Sequence, residues 1–406
     1  MLFTGESRLQ RISGVSTPQI FCEPFIYSRR HHDQHIPHHI RPVYKRTSTM
    51  KIGGIDLKRS WPALAGIGAI VAVLAASFAW AAGLLGLRVT NTTFLDATKH
   101  DFPAGYRRAH GKGMCFEGVF RSSGAVAKYS HASVFAQSET RAIGRFSIGS
   151  MSPYAADNST STVSMAMMLT ADDGQQWRMK MNNEPYFVTR DAPGFLAMLK
   201  ATAPDPATGK PVPARMAAFL ADYPEARKYL DAEAVKPWAS SFAGATFYAI
   251  HAYFLIAESG QRQAMRWRLR PHAAFTAWSD DDRARASHDA LFKEVAQRLT
   301  KAPLHWDMVM QLAAPGDPVD DPSQPWPENR QQLVAGTLEV QRVFDQTDGV
   351  CRDINFDPTL LPAGMALSND PVLATRAGIY AHSYNARLHE IGYGKATDAL
   401  GKRTAQ

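Results

Sequence analysis

Two short segments near opposite ends of the chain carry the residues best suited to chemistry. In the first, Arg107 stands three residues before His110, and the run Gly111-Lys112-Gly113 follows directly. Histidine is the side chain whose ordinary pKa lets it accept and return a proton near neutral pH. The segment therefore offers a general acid–base group, although a histidine beside Gly-Lys-Gly also fits a purely structural role.

The second segment is the pair Arg376 and Tyr380, which lies in a stretch with helical periodicity. Residues four apart share one face of a helix, so these two side chains are within reach of each other. Tyrosine ordinarily ionises near pH 10, so a phenolate that binds ferric iron needs a stabilising positive charge. Tyr384 continues the same face, and Arg387 follows. The spacing fits an arginine-supported iron ligand; a solvated arginine beside a half-buried tyrosine is the structural alternative.

The positive charge of the chain is concentrated at its N-terminus. The 406 residues carry a formal net charge of +8 at pH 7, and residues 1–60 contain ten Lys/Arg against four Asp/Glu. The remaining sequence is therefore close to neutral and offers no extended basic surface for binding phosphates. Nucleic-acid binding is not expected from this distribution, which is more typical of membrane topology.

An uncharged apolar segment at residues 61–87 follows a basic flank at 50–60. About 20 apolar residues are enough to span the bilayer core, so the segment predicts a transmembrane anchor. Ala79-Trp80-Ala81 also resembles a cleavage site, which leaves a cleaved signal peptide open. The length of the apolar run favours the anchor. In either case the sequence after Arg88 is predicted to be exported across the inner membrane to the periplasm.

Residues 1–49 have no periodicity and include a histidine-rich run from His31 to His39. Such tracts can bind metal, but this one lacks regular ligand spacing and partner carboxylates. We expect a disordered tail, or a start assigned too early. Met50, directly before the basic flank, would be a more usual first residue for an exported protein.

Three cysteines give limited information. Cys22 lies in the expected tail, whereas Cys115 and Cys351 lie in the part expected to be exported. Neither of the latter two has the spacing of a CxxC motif or a zinc site. They could pair in an oxidising compartment, or each could be a small buried side chain, and the sequence leaves both possibilities open.

The pattern of short strands and helices predicts the fold class. After a connector at 88–110, helical patterns occur at residues 192–235, 281–300 and 370–389. Stretches rich in β-forming residues predict strands at Met114–Phe120, Ile143–Ile148, Val163–Thr170, Gln176–Met181, Thr246–Ile256, Ala264–Arg270, His305–Leu312 and Leu333–Val343. This order favours an α+β domain over residues 88–406, with a closed antiparallel β-barrel and helical insertions. A glycine-rich phosphate loop is absent from the sequence.

The sequence before Tyr380 resembles the catalase family, whose haem iron is ligated by tyrosine. The resemblance is carried by Asp353-Ile354-Asn355-Phe356-Asp357-Pro358, by Leu361-Pro362-Ala363-Gly364, and by the spacing of Arg376, Tyr380 and Arg387. It implies that Tyr380 is the axial ligand of haem b and that Arg376 is its charge partner. It further implies that Tyr384 contacts the cofactor and that Arg387 binds a haem propionate.

The first segment resembles the opposite, distal face of the same haem site. His110 is similar to the distal histidine of the family, and Arg107 to an arginine that contacts a propionate. Arg145-Phe146-Ser147 resembles the Arg-Phe-Ser strand of the family. By this resemblance Arg145 holds a propionate and Ser147 orients the histidine with a hydrogen bond. Arginine suits this role because it binds carboxylates bidentately and keeps its charge.

A third distal motif, Asn182-Asn183-Glu184-Pro185, is similar to the Asn-Asn-x-Pro segment of catalases. It implies that Asn182 is the distal amide and that Phe187 and Phe195 line the pocket. The sequence departs from the family in two places: Val188 stands where a second phenylalanine is common, and Gly111 where alanine is more common.

The resemblance implies a haem-dependent peroxidase that reduces hydrogen peroxide or organic hydroperoxides. His110 would move a proton between the peroxide oxygens, Asn182 would donate to the departing oxygen, and an unidentified reductant would complete turnover. Only nineteen residues follow Arg387, and an apolar segment replaces the long N-terminal arm. The fit is therefore better to short, exported catalase-related peroxidases than to large catalases. The alternatives are a slow true catalase, an isomerase of fatty-acid hydroperoxides, and a haem-binding sensor or carrier without turnover.

Overall fold

The computed structural model describes residues 51–52, 55–81, 94, 103–205, 207–347 and 349–392. The expected tail at 1–49 lies outside the described residues. The helices are α1 (Leu57–Ala81), α2 (Ser133–Ala136), α3 (Ala192–Thr202), α4 (Pro213–Asp222), α5 (Ala226–Val235), α6 (Asp280–Arg285), α7 (Ala290–Leu299) and α8 (Pro371–Gly392). The strands are β1 (Lys51–Ile52), β2 (Ile55–Asp56), β3 (Gly113–Ser122), β4 (Glu139–Ile148), β5 (Val163–Thr170), β6 (Gln176–Asn182), β7 (Phe247–Ile256), β8 (Arg262–Pro271), β9 (Leu304–Leu312), β10 (Gln332–Asp345) and β11 (Met365–Leu367).

Helix α1 contains residues 61–81 of the predicted apolar segment. Within it, Trp61–Ala81 is a run of 21 residues with mean hydropathy 2.1. This helix is long and apolar enough to cross a bilayer, and a signal sequence would meet the same criterion. The last part of the predicted segment, residues 82–87, lies outside the described residues.

Strands β3 to β10 form a closed antiparallel barrel of eight strands. Their order around the barrel is β7-β6-β5-β4-β3-β10-β9-β8, and pairing of β8 with β7 closes it. The short strand β11 pairs with the end of β7. The predicted α+β fold with a closed antiparallel barrel is confirmed. The sequence pattern missed β11 and α2, because elements of three and four residues are too short to show periodicity.

The alternation of side chains along each strand separates the barrel core from the outer surface. In β4, Phe146 and Ile148 belong to the core, so Arg145 and Ser147 point outward. In β6, Met181 belongs to the core and Asn182 points outward. The polar members of two predicted motifs therefore share the outer face of the barrel.

The helix predicted at 281–300 is broken into α6 and α7. The break frees the backbone carbonyl of His288, which accepts hydrogen bonds from Lys112 Nζ and from the backbone N–H of Asp157. The carboxylate of Asp157 in turn accepts hydrogen bonds from the backbone N–H groups of Leu291 and Phe292. A cap from a distant loop thus starts α7, which is a long-range contact that helical periodicity does not contain.

Cys115 and Cys351 form a disulfide bond between β3 and the loop that follows β10. The two cysteines are fully buried and belong to a small hydrophobic cluster on the outer face of the barrel, together with Ala166 and Phe356. Of the two possibilities left open by the sequence, the structure contains the paired one. The bond fastens the loop around Cys351 to the barrel.

We expect the variant Cys115→Ala/Cys351→Ala to be less stable than the wild type by about 2–4 kcal/mol, because the disulfide restricts the unfolded chain. Denaturant unfolding of the two proteins, each with and without a reducing agent, measures the difference. The reductant should destabilise the wild type and leave the double variant unchanged. Equal midpoints for all four samples would contradict a stabilising disulfide.

Candidate functional site

A cavity of about 350 Å³ lies against the outer face of the barrel and helix α8. It brings together eight of the residues predicted from sequence, from both ends of the chain. These are Arg107, His110, Arg145, Ser147, Phe195, Tyr380, Tyr384 and Arg387. Among the described residues that line the cavity there is no aspartate or glutamate, so its charged wall is cationic.

Three other predicted residues stand behind this wall. The guanidinium of Arg376 donates a hydrogen bond of 2.7 Å to the hydroxyl of Tyr380. Phe187 packs on Phe195 with 4.9 Å between the ring centroids. Asn182 is joined to His110 through a shared partner, Ser164. All eleven predicted residues therefore belong to one region of the structure.

The backbone at His110 is in the left-handed region, with φ of 53°. This conformation is uncommon for residues other than glycine and often occurs at functional sites. The two glycines that follow are required by close packing. A side chain at Gly111 would overlap the carbonyl of Met151, and one at Gly113 would overlap the guanidinium of Arg145. The Gly-Lys-Gly run thus lets Arg145 lie across the start of β3.

Hydrogen bonds fix the tautomer of His110. Its Nδ1 lies 3.1 Å from the carbonyl oxygen of Ile148 and 3.2 Å from Ser164 Oγ. A carbonyl only accepts, and the Ser164 hydroxyl donates its single proton to Asn182 Oδ1 at 2.8 Å. Nδ1 therefore carries the proton, and Nε2 of the neutral ring is the basic nitrogen that remains for a ligand.

The hydroxyl that contacts His110 differs from the predicted one. Ser147 was expected to hold the imidazole, and it does line the cavity, but the contact is made by Ser164 on the next strand. Strand register explains the difference: Ser147 pairs with Ser164, and Ser164 pairs with Asn182. The three side chains form one row across β4, β5 and β6. Ser164, the middle member, contacts both His110 and Asn182.

Burial lowers the pKa of His110 well below its usual value, and the charges of Lys180 and Arg145 lower it further. The hydrogen bond with Ile148 acts in the opposite direction but does not offset these effects. The imidazole is therefore neutral at physiological pH and is able to accept a proton. This is the state that a general base requires.

Tyr380 is supported by a chain of hydrogen bonds that was not predicted from the sequence. Arg376 Nη1 lies 2.8 Å from Nε2 of His251, and Nδ1 of His251 lies 2.6 Å from the carboxylate of Asp370. Asp370 also accepts a hydrogen bond of 2.8 Å from the backbone N–H of Val372. It therefore caps α8 and orients Arg376. An aspartate directly before Pro371 is a recognisable helix start, whereas nothing in the sequence indicates the role of His251.

Two buried arginines, Arg145 and Arg387, and the half-buried Arg107 form the cationic wall of the cavity. Burial and the charges of Arg387 and Arg145 lower the pKa of Arg107, and burial and the charge of Arg387 lower that of Arg145 to about 9. Nε and Nη2 of Arg387 are buried without a hydrogen-bond partner among the described residues. Such a cluster is unfavourable unless an anion offsets it. It fits a ligand with two carboxylates, such as the haem expected from the sequence.

Comparison with known proteins gives a consistent result for most of this chain. The sequence profile of the family described as "Catalase" matches residues 98–394. A catalase-related peroxidase of Synechococcus elongatus is 31% identical over 311 residues, covering 76% of this chain and 92% of the relative. One of Mycolicibacterium paratuberculosis is 29% identical over 287 residues, covering 70% of this chain and 89% of the relative.

The fold agrees with solved catalases. Catalase A from Saccharomyces cerevisiae is similar with a TM-score of 0.64 at 17% identity, over 70% of this chain and 62% of that chain. A bacterial catalase gives a TM-score of 0.62 at 18% identity, over 70% of this chain and 58% of that chain. The chain thus spans less than two thirds of these larger structures. Since the family profile matches more than half of the sequence, the protein belongs to the catalase family.

Proposed function

We propose that the protein is a haem peroxidase that reduces hydrogen peroxide or organic hydroperoxides with electrons from an organic donor. The observation that carries the proposal is the meeting of His110 and Tyr380 in one cavity, although they stand 270 positions apart in the chain. The catalase-related peroxidases of two bacteria match this chain over most of their own length. Their activity is the best guide to its reaction.

Haem b is the proposed cofactor, because proteins of the catalase family bind haem and the cavity fits its charge. Tyr380 would bind the haem iron, with Arg376 as the cation that supports its phenolate. Arg107, Arg145 and Arg387 would hold the two propionates. The rings of Phe195 and Tyr384, with Phe187 behind them, would pack beside the macrocycle, and Ser147 would line its pocket. When bound, the haem supplies the redox-active iron at which the O–O bond breaks.

The remaining steps belong to side chains of this protein. His110 accepts the peroxide proton on Nε2 and returns it to the leaving oxygen, while Ile148 and Ser164 hold the ring by Nδ1. The oxygen of the Asn182 amide is engaged by Ser164. Its Nδ2 is therefore the atom that donates to the peroxide.

The haem-loaded protein is expected to oxidise a reducing dye with an alkyl hydroperoxide, and His110→Ala should lower kcat/KM by about 10²- to 10⁴-fold without loss of haem. Because the pKa of His110 is held below 6.5, wild-type activity should stay constant from pH 7.5 to 6.5 and fall only at more acidic pH. Dye oxidation and oxygen evolution from hydrogen peroxide, measured side by side, test the proposal. Oxygen evolution alone would indicate a catalase, and full activity of His110→Ala would indicate a haem carrier.

Replacing Tyr380 by phenylalanine removes the proposed iron ligand and keeps the ring. We expect Tyr380→Phe to bind less haem and to shift the absorption bands of the ferric protein. Tyr186→Phe, at a tyrosine that does not line the cavity, is the matched control and should keep the wild-type spectrum. Identical spectra and haem content in wild type and Tyr380→Phe would remove this residue from the ligand role.

We infer that α1 anchors an exported domain, residues 88–406, in the inner membrane with its catalytic part in the periplasm. The length and hydropathy of Trp61–Ala81 support an anchor, and the basic flank before it supports this orientation. The disulfide supports the same location, since such bonds persist mainly in oxidising compartments.

The full-length chain expressed in a bacterium is expected to remain in the membrane fraction after an alkaline wash, because an apolar helix of this length binds the bilayer stably. A chain shortened to begin at Arg88 should be released by the same wash. The mass of the N-terminal peptide provides a second measurement. A soluble product that begins after Ala81 would replace the anchor by a cleaved signal peptide.

A further inference from the structure

Lys180 lines the cavity, and its charge lowers the pKa of His110, but no contact with a substrate has yet been assigned to it. It lies on β6 two residues before Asn182, so both side chains point to the outer face of the barrel. Its partner across β5 is Ala166, a small residue that also lines the cavity. Lys180 itself lines the cavity together with His110 and Tyr380, whereas Asn182 is set behind the wall.

The ammonium of Lys180 is only partly engaged. It donates to Asn182 Oδ1 at 2.5 Å and to the backbone oxygen of Met181 at 3.2 Å. An ammonium has three N–H groups, so one remains without an acceptor in the described part of the chain. Lys180 is half-buried. A lysine with little access to water ordinarily pairs with a carboxylate, but none of the described carboxylates forms an ion pair with Lys180, although the charge of Glu184 acts on it from further away.

The position of this ammonium is fixed by the same hydrogen bonds that fix the distal histidine. Asn182 Oδ1 accepts from both Lys180 and Ser164, and Ser164 contacts His110. A flipped amide would place its NH₂ group against the ammonium, which repels it. One network of hydrogen bonds therefore holds both the ammonium of Lys180 and the imidazole of His110 in place.

Two other cations of the site have partners of their own. Arg376 is bonded to Tyr380 and His251, and Arg145 to the carbonyl of Gly111. Arg387 also has unpaired donors among the described residues, but it belongs to the arginine cluster assigned to the propionates. Lys180 is separate from that cluster, and its charge acts directly on His110. Burial, followed by the charge of Arg376, lowers the pKa of Lys180 well below its usual value. An ammonium that has a donor to spare and no ion pair among the described residues favours a ligand that gains negative charge.

We propose that Lys180 is a catalytic residue of the peroxide site, whose remaining N–H donates to the peroxide oxygen that leaves as the O–O bond breaks. This inference rests on the proposed peroxidase function. The leaving oxygen gains negative charge before it receives a proton from His110. An ammonium held on the wall of the same cavity would stabilise this charge in the transition state more than in the ground state. Asn182 then has two tasks, since its oxygen positions Lys180 while its Nδ2 donates to the peroxide.

Lys180→Met tests the proposal in the haem-loaded, full-length protein, because methionine keeps the apolar stem and removes the donor and the charge. We expect kcat for an alkyl hydroperoxide to fall about a hundredfold with little change in KM. Lys180→Arg, which keeps a donor and a charge, should recover most of this loss. Lys200→Met removes the same charge from the exposed surface of α3 and is the matched control.

Two measurements separate a catalytic from a structural role. The positive charges that act on His110 are those of Lys180 on β6, Arg145 on β4 and Arg376 on α8. Loss of the Lys180 charge should raise the pKa of His110 and so move the acid limb of the pH profile to higher pH. Cyanide, which binds ferric haem as an anion, should bind Lys180→Met at least tenfold more weakly than Lys200→Met in a spectrophotometric titration. Haem content should be equal in both variants.

The outcomes distinguish this inference from the function on which it rests. A wild-type protein with haem but no turnover of any peroxide would overturn both proposals. An active wild type, with Lys180→Met equal to Lys200→Met in kcat, pH profile and cyanide affinity, would overturn the role of Lys180 alone. Loss of haem from both Lys180 variants would also overturn it, because the residue would then be structural.

Discussion

The closed barrel imposes the constraint on which the site depends. When every strand is paired on both sides, its side chains alternate strictly between a packed interior and an outer face. Aromatic and methionine side chains fill the interior, so the polar residues of β4, β5 and β6 must point outward. Antiparallel register then places Ser147, Ser164 and Asn182 in one row. The side of the cavity that contains His110 is a consequence of this register.

Helix α8 completes the cavity from the other end of the chain. Its start is set by Asp370, which caps the helix and reaches His251 on β7. This contact fixes the rotation of the helix and places Tyr380 on the cavity wall, with Arg376 hydrogen-bonded to it from behind. One buried carboxylate thus links the barrel, the helix and the tyrosine. The positions of Tyr384 and Arg387 follow from the same rotation, because they lie further along this helix.

The loop after β10 closes the cavity near the arginines. Carbonyl oxygens of Cys351 and Ile354 accept hydrogen bonds from Arg107, and the ring of Phe356 lies beneath its guanidinium. The disulfide with Cys115 holds this loop against β3. A bond that stabilises the fold therefore also orients a residue of the proposed propionate site. This gives the disulfide a place in function as well as in stability.

The eight barrel strands, the apolar helix and the types of the main site residues could all be predicted from the amino-acid sequence. Those features are local: strand and helix periodicity, an uncharged run of apolar residues, and short motifs around His110 and Tyr380. The predicted strand boundaries lie within two residues of the observed ones except at β4, which begins four residues earlier, at Glu139. The helix predicted at 281–300 was wrong, because a carboxylate from elsewhere in the chain caps a new helix within it. Contacts of this kind do not alter the helical periodicity of the sequence and cannot be predicted from it.

Which side chains are in contact could not be predicted, because it depends on how distant segments pack together. In the folded protein Ser164, and not Ser147, contacts His110. His251 is hydrogen-bonded to Arg376, and Lys180 lines the cavity. Each of these depends on strand register or helix rotation between segments far apart in the chain. Side-chain types can be read along a sequence, but distances across a folded barrel are set by how its strands pair and close.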